Sequence, residues 1–325
     1  MLAIVADAVG DPDVLQWREV EDPVPAAGEV VIDVAATAVN RADLLQRQGH
    51  YPPPPGASPI LGLECSGTIS AVGAGVTRRT VGEAVTALLA GGGYAQRVAV
   101  PVEQVMDVPG HTTLVDAAAL PEVACTVWSN VVMTGGLRQG HWLLVHGGGG
   151  GIGTMAIQIA KAMGARIAVT AGSEEKLAEC ERLGAEILIN YREQDFVEVL
   201  ATETGGRGVD VILDNMGAKY LQRNVDALAR DGRLVIIGLQ GGVKAEVNLA
   251  SLLGKNASIH ATSLRSRPIS EKGEICAQVQ RHVWPWIDAG LITPIIGARM
   301  PLAEAAKAHE LLADGGVVGK ILLTT

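Results

Sequence analysis

The chain has 325 residues, enough for about two domains. It is 48% apolar and 19% charged, with 40 glycines but only one Phe and four Tyr, so Val, Ile, Leu and Ala have to build the core. That composition excludes a disordered chain and a disulfide-dense miniprotein. The net charge of −9 is unevenly spread: residues 1–124 hold six Arg, no Lys and fifteen acids, and the first lysine is Lys161. No basic stripe exists, so strong nucleic-acid binding is not expected, whereas the charge-balanced rear part suits a phosphorylated ligand. Cys65, Cys125, Cys180 and Cys276 lie far apart with no CxxC, which reads as buried free thiols. The opening MLAIVADAVGDP lacks a basic leader, and the most apolar window, Trp142–Ala160, contains five consecutive glycines. Neither a signal peptide nor a membrane helix is expected, and the reading is cytoplasmic.

In chain order, the first third is predicted to be β-rich. Met1–Ala6, Glu29–Ala38, Ser66–Val72 and Glu83–Leu89 are short β-branched or alternating runs separated by Gly/Pro turns. Tyr51–Gly56, with Pro52 to Pro55 consecutive, has to be a stiff extended loop. From about Ala117 strand-length and helix-length segments alternate. The predicted strands are Trp142–His146, Arg166–Ala171, Ile187–Asn190, Val209–Asp214 and Arg233–Leu239. The predicted helices are Gly153–Gly164, Glu174–Leu183 and Lys219–Ala229. Such alternation means an α/β, doubly wound parallel sheet. A helix over Pro301–Asp314 and a strand over Gly319–Thr325 close the chain.

The glycine run has one placement for a GxGxxG frame: Gly148, Gly150 and Gly153, between a buried strand and an apolar helix. Backbone without Cβ atoms can approach a pyrophosphate closely. The helix N-terminus formed by Gly151, Ile152 and Gly153 then offers unpaired N–H groups and partial positive charge. The next strand ends at Gly172 rather than at the acid expected for a ribose 2′-hydroxyl. Ser173 and Lys176 follow; they suit a 2′-phosphate and favour NADPH. The alternative makes Ser173 only a helix cap and Lys176 a solvated face, with Glu174 or Glu175 turned toward a ribose.

The order of a β-rich front, a nucleotide-binding middle and a return to the front domain resembles the medium-chain dehydrogenase/reductase superfamily. Its zinc members carry a GHExxG metal-binding motif. Here the frame reads Gly62-Leu63-Glu64-Cys65-Ser66-Gly67, and Asn40-Arg41-Ala42-Asp43 offers no Cys ligand, so a catalytic zinc is not expected. Asn40 through Gly56, Gly92-Gly93-Tyr94-Ala95-Gln96, Ala171 through Leu177 and Leu264-Arg265-Ser266-Arg267 are similar to the zinc-independent quinone oxidoreductases, relatives of zeta-crystallin. The resemblance implies a GroES-like catalytic domain over 1–122 and 266–325, a Rossmann domain over 123–265, and a homodimer. It implies metal-free transfer of hydride or electrons from NADPH to a small-molecule quinone.

By the same resemblance, Tyr51 is a wall and hydrogen-bond donor beside the nicotinamide, and Asn40 a cofactor or oxyanion donor. Thr126 faces the nicotinamide ribose or pyrophosphate, and Tyr191 packs beside the 2′-phosphate or adenine. Gly238, Leu239 and Gln240 lie at a strand end where open α/β sheets hold ligands. Ser263, Leu264, Arg265 and Lys320 are further cofactor contacts, with a surface charge as the alternative for Arg265. Glu64 and His146 read as structural. An enoyl-thioester reductase, or a cofactor-binding protein with a structural or regulatory role, are the rival readings.

Overall fold

The computed structural model describes all 325 residues. They divide into two units: Met1–Cys125 together with Leu264–Thr325, and Thr126–Ser263.

In the first unit β1 (Leu2–Ala6) pairs antiparallel with β2 (Leu15–Glu19). β3 (Glu29–Val39) is eleven residues long and leads into Asn40, the N-cap of α1 (Arg41–Arg47). β4 (Glu64–Val72), β5 (Ala84–Leu88), β6 (Arg97–Pro101) and β7 (Val105–Asp107) follow, then α2 (Pro121–Val127). The alternation visible in the sequence buries Val30, Ile32, Val34, Ile69, Val85 and Val98 in one core. The segment Tyr51–Gly56 is irregular, as the prolines require.

The second unit holds β8 (Trp142–His146), α3 (Gly151–Ala162), β9 (Arg166–Ala171), α4 (Glu174–Leu183), β10 (Ile187–Asn190), α5 (Phe196–Glu203) and β11 (Val209–Asp214). After them come α6 (Leu221–Ala227), β12 (Leu228–Ile236), α7 (Leu249–Lys255) and β13 (Ser258–Ala261). Its sheet is wholly parallel, in the order β10-β9-β8-β11-β12-β13. Counted within the unit that is 3-2-1-4-5-6, the doubly wound order. Its switch point falls between β8 and β11, where such sheets bind ligands.

The chain returns to the first unit with α8 (Ile269–His282), α9 (Trp284–Asp288), β14 (Ile296–Pro301), α10 (Ala305–Asp314) and β15 (Lys320–Thr324). The seven-stranded sheet runs β14-β15-β3-β4-β5-β7, with β6 also pairing β3.

Several boundaries differ from the sequence reading. α3 starts at Gly151, two residues early, because Gly150 is its extended N-cap. The helix predicted over Lys219–Ala229 stops at Ala227: Leu228 turns extended and opens β12, which bulges at Asp231 (φ 61°) before pairing resumes at Arg233. β12 ends at Ile236, so Gly238 to Gln240 form the loop beyond it. Pro301 closes β14 in an extended conformation, so α10 starts only at Ala305. Val123–Cys125 and Leu264–Arg265, expected with the nucleotide-binding part, cluster with the first unit. There Cys125 packs on Cys276 and Arg265 bonds Ala90 and Gln46.

Candidate functional site

The glycine turn of the second unit is packed, and its glycines do different work. Gly147 has φ 77°. The N–H groups of Gly147 and Gly148 both donate to the Thr170 carbonyl (3.0 Å each), tying the turn to β9. A Cβ on Gly148 would stand 2.8 Å from Val169 Cβ and 2.9 Å from Cys180 Sγ. A Cβ on Gly153 would stand 2.5 Å from the Gly148 carbonyl oxygen and closer still to that of Gly147. Gly153 is therefore required by the turn itself. Gly150 is exposed, and a Cβ there would meet only the Gly147 oxygen, at 3.6 Å. The first in-helix bond of α3 runs from Thr154 N–H to the Gly150 carbonyl (2.9 Å). The N–H groups of Gly151, Ile152 and Gly153 thus precede the helix ladder and are available to an anion. A cradle in which Gly148 and Gly153 leave no room for a Cβ, closed by a helix N-terminus, fits a dinucleotide pyrophosphate.

The end of β9 is equally specific. A Cβ on Gly172 would collide with the Tyr191 hydroxyl, so the glycine there makes room for that ring. Tyr191 is 47% exposed. Ser173 caps α4, its Oγ accepting from Lys176 N–H (3.4 Å), so the cap reading of Ser173 holds while its hydroxyl hydrogen remains a donor. The Lys176 stem lies against Gly149. The Glu174 carboxylate accepts from Asn190 Nδ2 (3.4 Å) rather than reaching out as a ribose ligand. Beyond β11 and β12, Asn215 approaches both Gly147 and Gly238, and Leu239 is 54% exposed. Thr126 is buried, and its carbonyl accepts from Asn130 Nδ2 (2.8 Å). Ser263 ends this unit exposed, and Leu264 is buried. His146 is structural: its ring bridges Thr170 Oγ1 (3.1 Å) and Asn224 Oδ1 (2.7 Å), between Phe196 and Tyr220. Burial pushes its pKa down to about 4.

In the first unit the structure assembles a buried polar cluster that the sequence did not reveal. Lys320 Nζ donates to Asn40 Oδ1 (2.6 Å) and Glu64 Oε1 (2.7 Å). Asn40 Nδ2 donates to the same Glu64 oxygen (2.8 Å), and Glu64 Oε2 accepts from Glu122 N–H (2.8 Å). Three side chains from β15, the end of β3 and β4 thus form a charge-balanced triad, with Glu64 fully buried. Its partners are 24 and 256 residues away, which is why Glu64 looked isolated.

Asp43 orients the triad. Its carboxylate accepts from Asn40 N–H (2.7 Å) and Gly62 N–H (3.0 Å), fixing the segments that carry Asn40 and Glu64. The N-x-x-D spacing could have revealed half of this box. Tyr94 OH also reaches Asp43 (3.4 Å) and meets His309 Nε2 at 3.1 Å. Burial raises Asp43 to about 6, against the pull of those two backbone bonds, and lowers His309 to about 3.

Arg265 is 5% exposed, so it is no surface charge. Its guanidinium lies over the Tyr51 ring, 5.4 Å from the centroid.

Leu63, at the position of the metal-binding His, is a buried apolar side chain, and no three His, Cys, Asp or Glu side chains gather closely enough to hold a metal. The residues present do not fit a catalytic zinc.

Comparison with known proteins agrees with this architecture. Residues 26–110 match the family described as alcohol dehydrogenase GroES-like domain, and residues 151–278 that described as zinc-binding dehydrogenase. A 2-haloacrylate reductase from Burkholderia sp is 33% identical over 99% of this chain and 98% of its own length. The quinone oxidoreductase of Lama guanicoe is 32% identical over 99% and 97%. The crystal structure of Escherichia coli quinone oxidoreductase complexed with NADPH superposes with a TM-score of 0.88 at 31% identity, covering 100% of both chains. Full-length relatives at this identity, on a GroES-like sheet joined to a Rossmann sheet, show that the chain belongs to the quinone oxidoreductase family of medium-chain dehydrogenase/reductases.

Proposed function

We propose that this oxidoreductase is a metal-free NADPH:quinone reductase. Two observations support the reading, each within its own unit: the phosphate cradle of the glycine turn in the second, and in the first a buried Lys320–Glu64–Asn40 triad where zinc relatives would need ligands. The cofactor is NADPH, held by the α3 N-terminus, Ser173, Lys176 and Tyr191, with Thr126, Gly238 to Gln240 and Ser263 as further contacts. When bound, it supplies a hydride. The protein's part is to orient the acceptor and stabilise charge developing on its oxygen. Tyr51 walls the reacting centre and donates a hydrogen bond from its hydroxyl. Asn40, pinned by Lys320, Glu64 and Asp43, keeps its amide in one orientation.

The proposal includes a cytoplasmic homodimer. Four free buried cysteines suit a reducing compartment. β13 is an unpaired sheet edge, and the nearby α7 exposes Leu249 (71%) and Leu253 (85%). No helix is long and apolar enough to cross a membrane.

A second reading, reduction of a C=C bond conjugated to a carbonyl, is favoured by the full-length relative named as a 2-haloacrylate reductase. It requires Tyr51, or another group, to deliver a proton to the α-carbon. The deciding assay follows NADPH absorbance with an ortho-quinone, a para-quinone, an enoyl-CoA and a haloacrylate. Oxidation with quinones alone supports the proposal, oxidation with the olefins alone replaces it by the second reading, and oxidation with none leaves a binding role.

A further inference from the structure

The segment from Tyr51 to Pro59 contains five prolines in nine residues. Proline has no N–H, so this stretch is rich in carbonyl acceptors and poor in donors. Within it, Ala57 N–H closes a turn on the Pro54 carbonyl (3.1 Å). The rest of its order has to come from donors outside it, and the structure concentrates them on one residue of the returning chain.

Arg265 NH1 donates to the Tyr51 carbonyl (3.3 Å) while the guanidinium plane lies over the same residue's ring. Arg265 NH2 donates to Gln46 Oε1 (2.7 Å), and Gln46 Nε2 donates onward to the Pro59 carbonyl (2.9 Å). Both ends of the proline segment are therefore reached, one directly and one through Gln46. Arg265 Nε donates to the Ala90 carbonyl (2.7 Å). The residues after Ala90 lie against the same loop: Gly92 N–H donates to the Ile60 carbonyl (2.7 Å), and a Cβ on Gly91 would stand 2.5 Å from the Ser58 oxygen. A rigid fork with five donors can serve three acceptors in one plane, which a lysine ammonium cannot.

We propose that Arg265 is a positioning residue: it presents Tyr51 by clamping the proline loop to α1 and to the segment after β5. This rests on the reading of Tyr51 as the residue working on the acceptor. The test keeps the two separable by measuring the loop and the turnover independently on the full-length protein. Hydrogen exchange by mass spectrometry on Arg265→Lys and Arg265→Met should show peptides spanning 46–60 exchanging about tenfold faster, with the glycine turn of the second unit unchanged. Arg265→Lys retains the charge and guards against a misfolded Met variant. Gln46→Leu should loosen the Pro59 end alone.

With NADPH and ortho-naphthoquinone, kcat of Arg265→Lys should fall about tenfold while KM for NADPH stays within twofold. The same substitution in a Tyr51→Ala background should cost less than twofold more. Unchanged exchange over 46–60 overturns the clamp outright. Accelerated exchange with fully additive kinetic losses overturns the action through Tyr51. If Tyr51→Ala alone retains wild-type turnover, the reading of Tyr51 fails. The positioning role then fails with it, while accelerated exchange would still assign the loop's order to Arg265.

Discussion

Gly150→Asp separates binding from folding more cleanly than any other single change in the cradle. Gly150 is the exposed, extended N-cap of α3 (φ −82°, ψ 173°), where any L-residue is allowed, and a Cβ would find only the Gly147 oxygen, at 3.6 Å. Aspartate is among the preferred N-caps, and its charge favours the helix N-terminus by about 0.3–1 kcal/mol. Stability should hold or rise, moving Tm by no more than a few degrees. The same carboxylate faces any phosphate placed on the Gly151–Gly153 N–H groups. Two unit charges about 4–6 Å apart at an effective dielectric of about 20 repel by about 3–4 kcal/mol. Solvent screening at this exposed cap reduces that to about 2 kcal/mol, or about thirtyfold in Kd. Gly153→Ala is the converse: its methyl collides with the Gly147 and Gly148 carbonyls and should cost about 1–3 kcal/mol of stability. Thermal unfolding and calorimetric NADPH titration of both variants check this. Wild-type NADPH affinity in Gly150→Asp refutes the assignment of this helix end to the pyrophosphate, and unfolding of that variant refutes the open N-cap.

Lys176→Glu should weaken NADPH more than NADH, lowering the ratio of their affinities at least tenfold; an unchanged ratio removes Lys176 from cofactor choice. Tyr51→Ala should reduce kcat with quinone far more than it alters the NADPH Kd, and equal kcat in variant and wild type removes Tyr51 from the reaction. Lys320→Met strands the buried Glu64 charge and should cost about 3–5 kcal/mol, while the double variant with Glu64→Gln should recover much of it; urea midpoints with no such recovery would contradict the triad. His146 is lowered from 6.5 to about 4, so the unfolded chain binds its proton first, and stability should fall by about 3 kcal/mol as pH drops through that window. Asp43, raised from 3.8 to about 6, acts oppositely: its contribution is complete below about 4 and is lost as pH rises through about 6. His146→Gln should therefore show a smaller acid loss than the wild type in urea titrations at pH 7 and 4.5, and an identical loss would mean that the ring is protonated in the fold.

The nucleotide-binding half was legible because its signals are local. Strand periodicity, the Gly148/Gly150/Gly153 frame and the Ser173 cap each act within a few residues, and the parallel sheet follows from their alternation. The errors there sit at element ends. At Leu228 a buried apolar residue serves helix or strand equally well, and only the partner strand settles which. The front half was legible as β-rich, with a loop enforced by Pro52 to Pro55. α1 was missed although its N-x-x-D cap was in view.

Chain chemistry alone dictated a doubly wound domain with a phosphate-accepting turn, a proline-stiffened loop and no metal ligand at Leu63. Each follows from backbone sterics or from the identity of one side chain. Tertiary structure alone decided that Glu64 belongs with Lys320, that Asp43 locks Asn40 to Gly62, and that Arg265 grips the Tyr51 loop. Those pairings join residues up to 256 positions apart, and a buried charge carries no mark in its own neighbourhood of which distant partner will neutralise it.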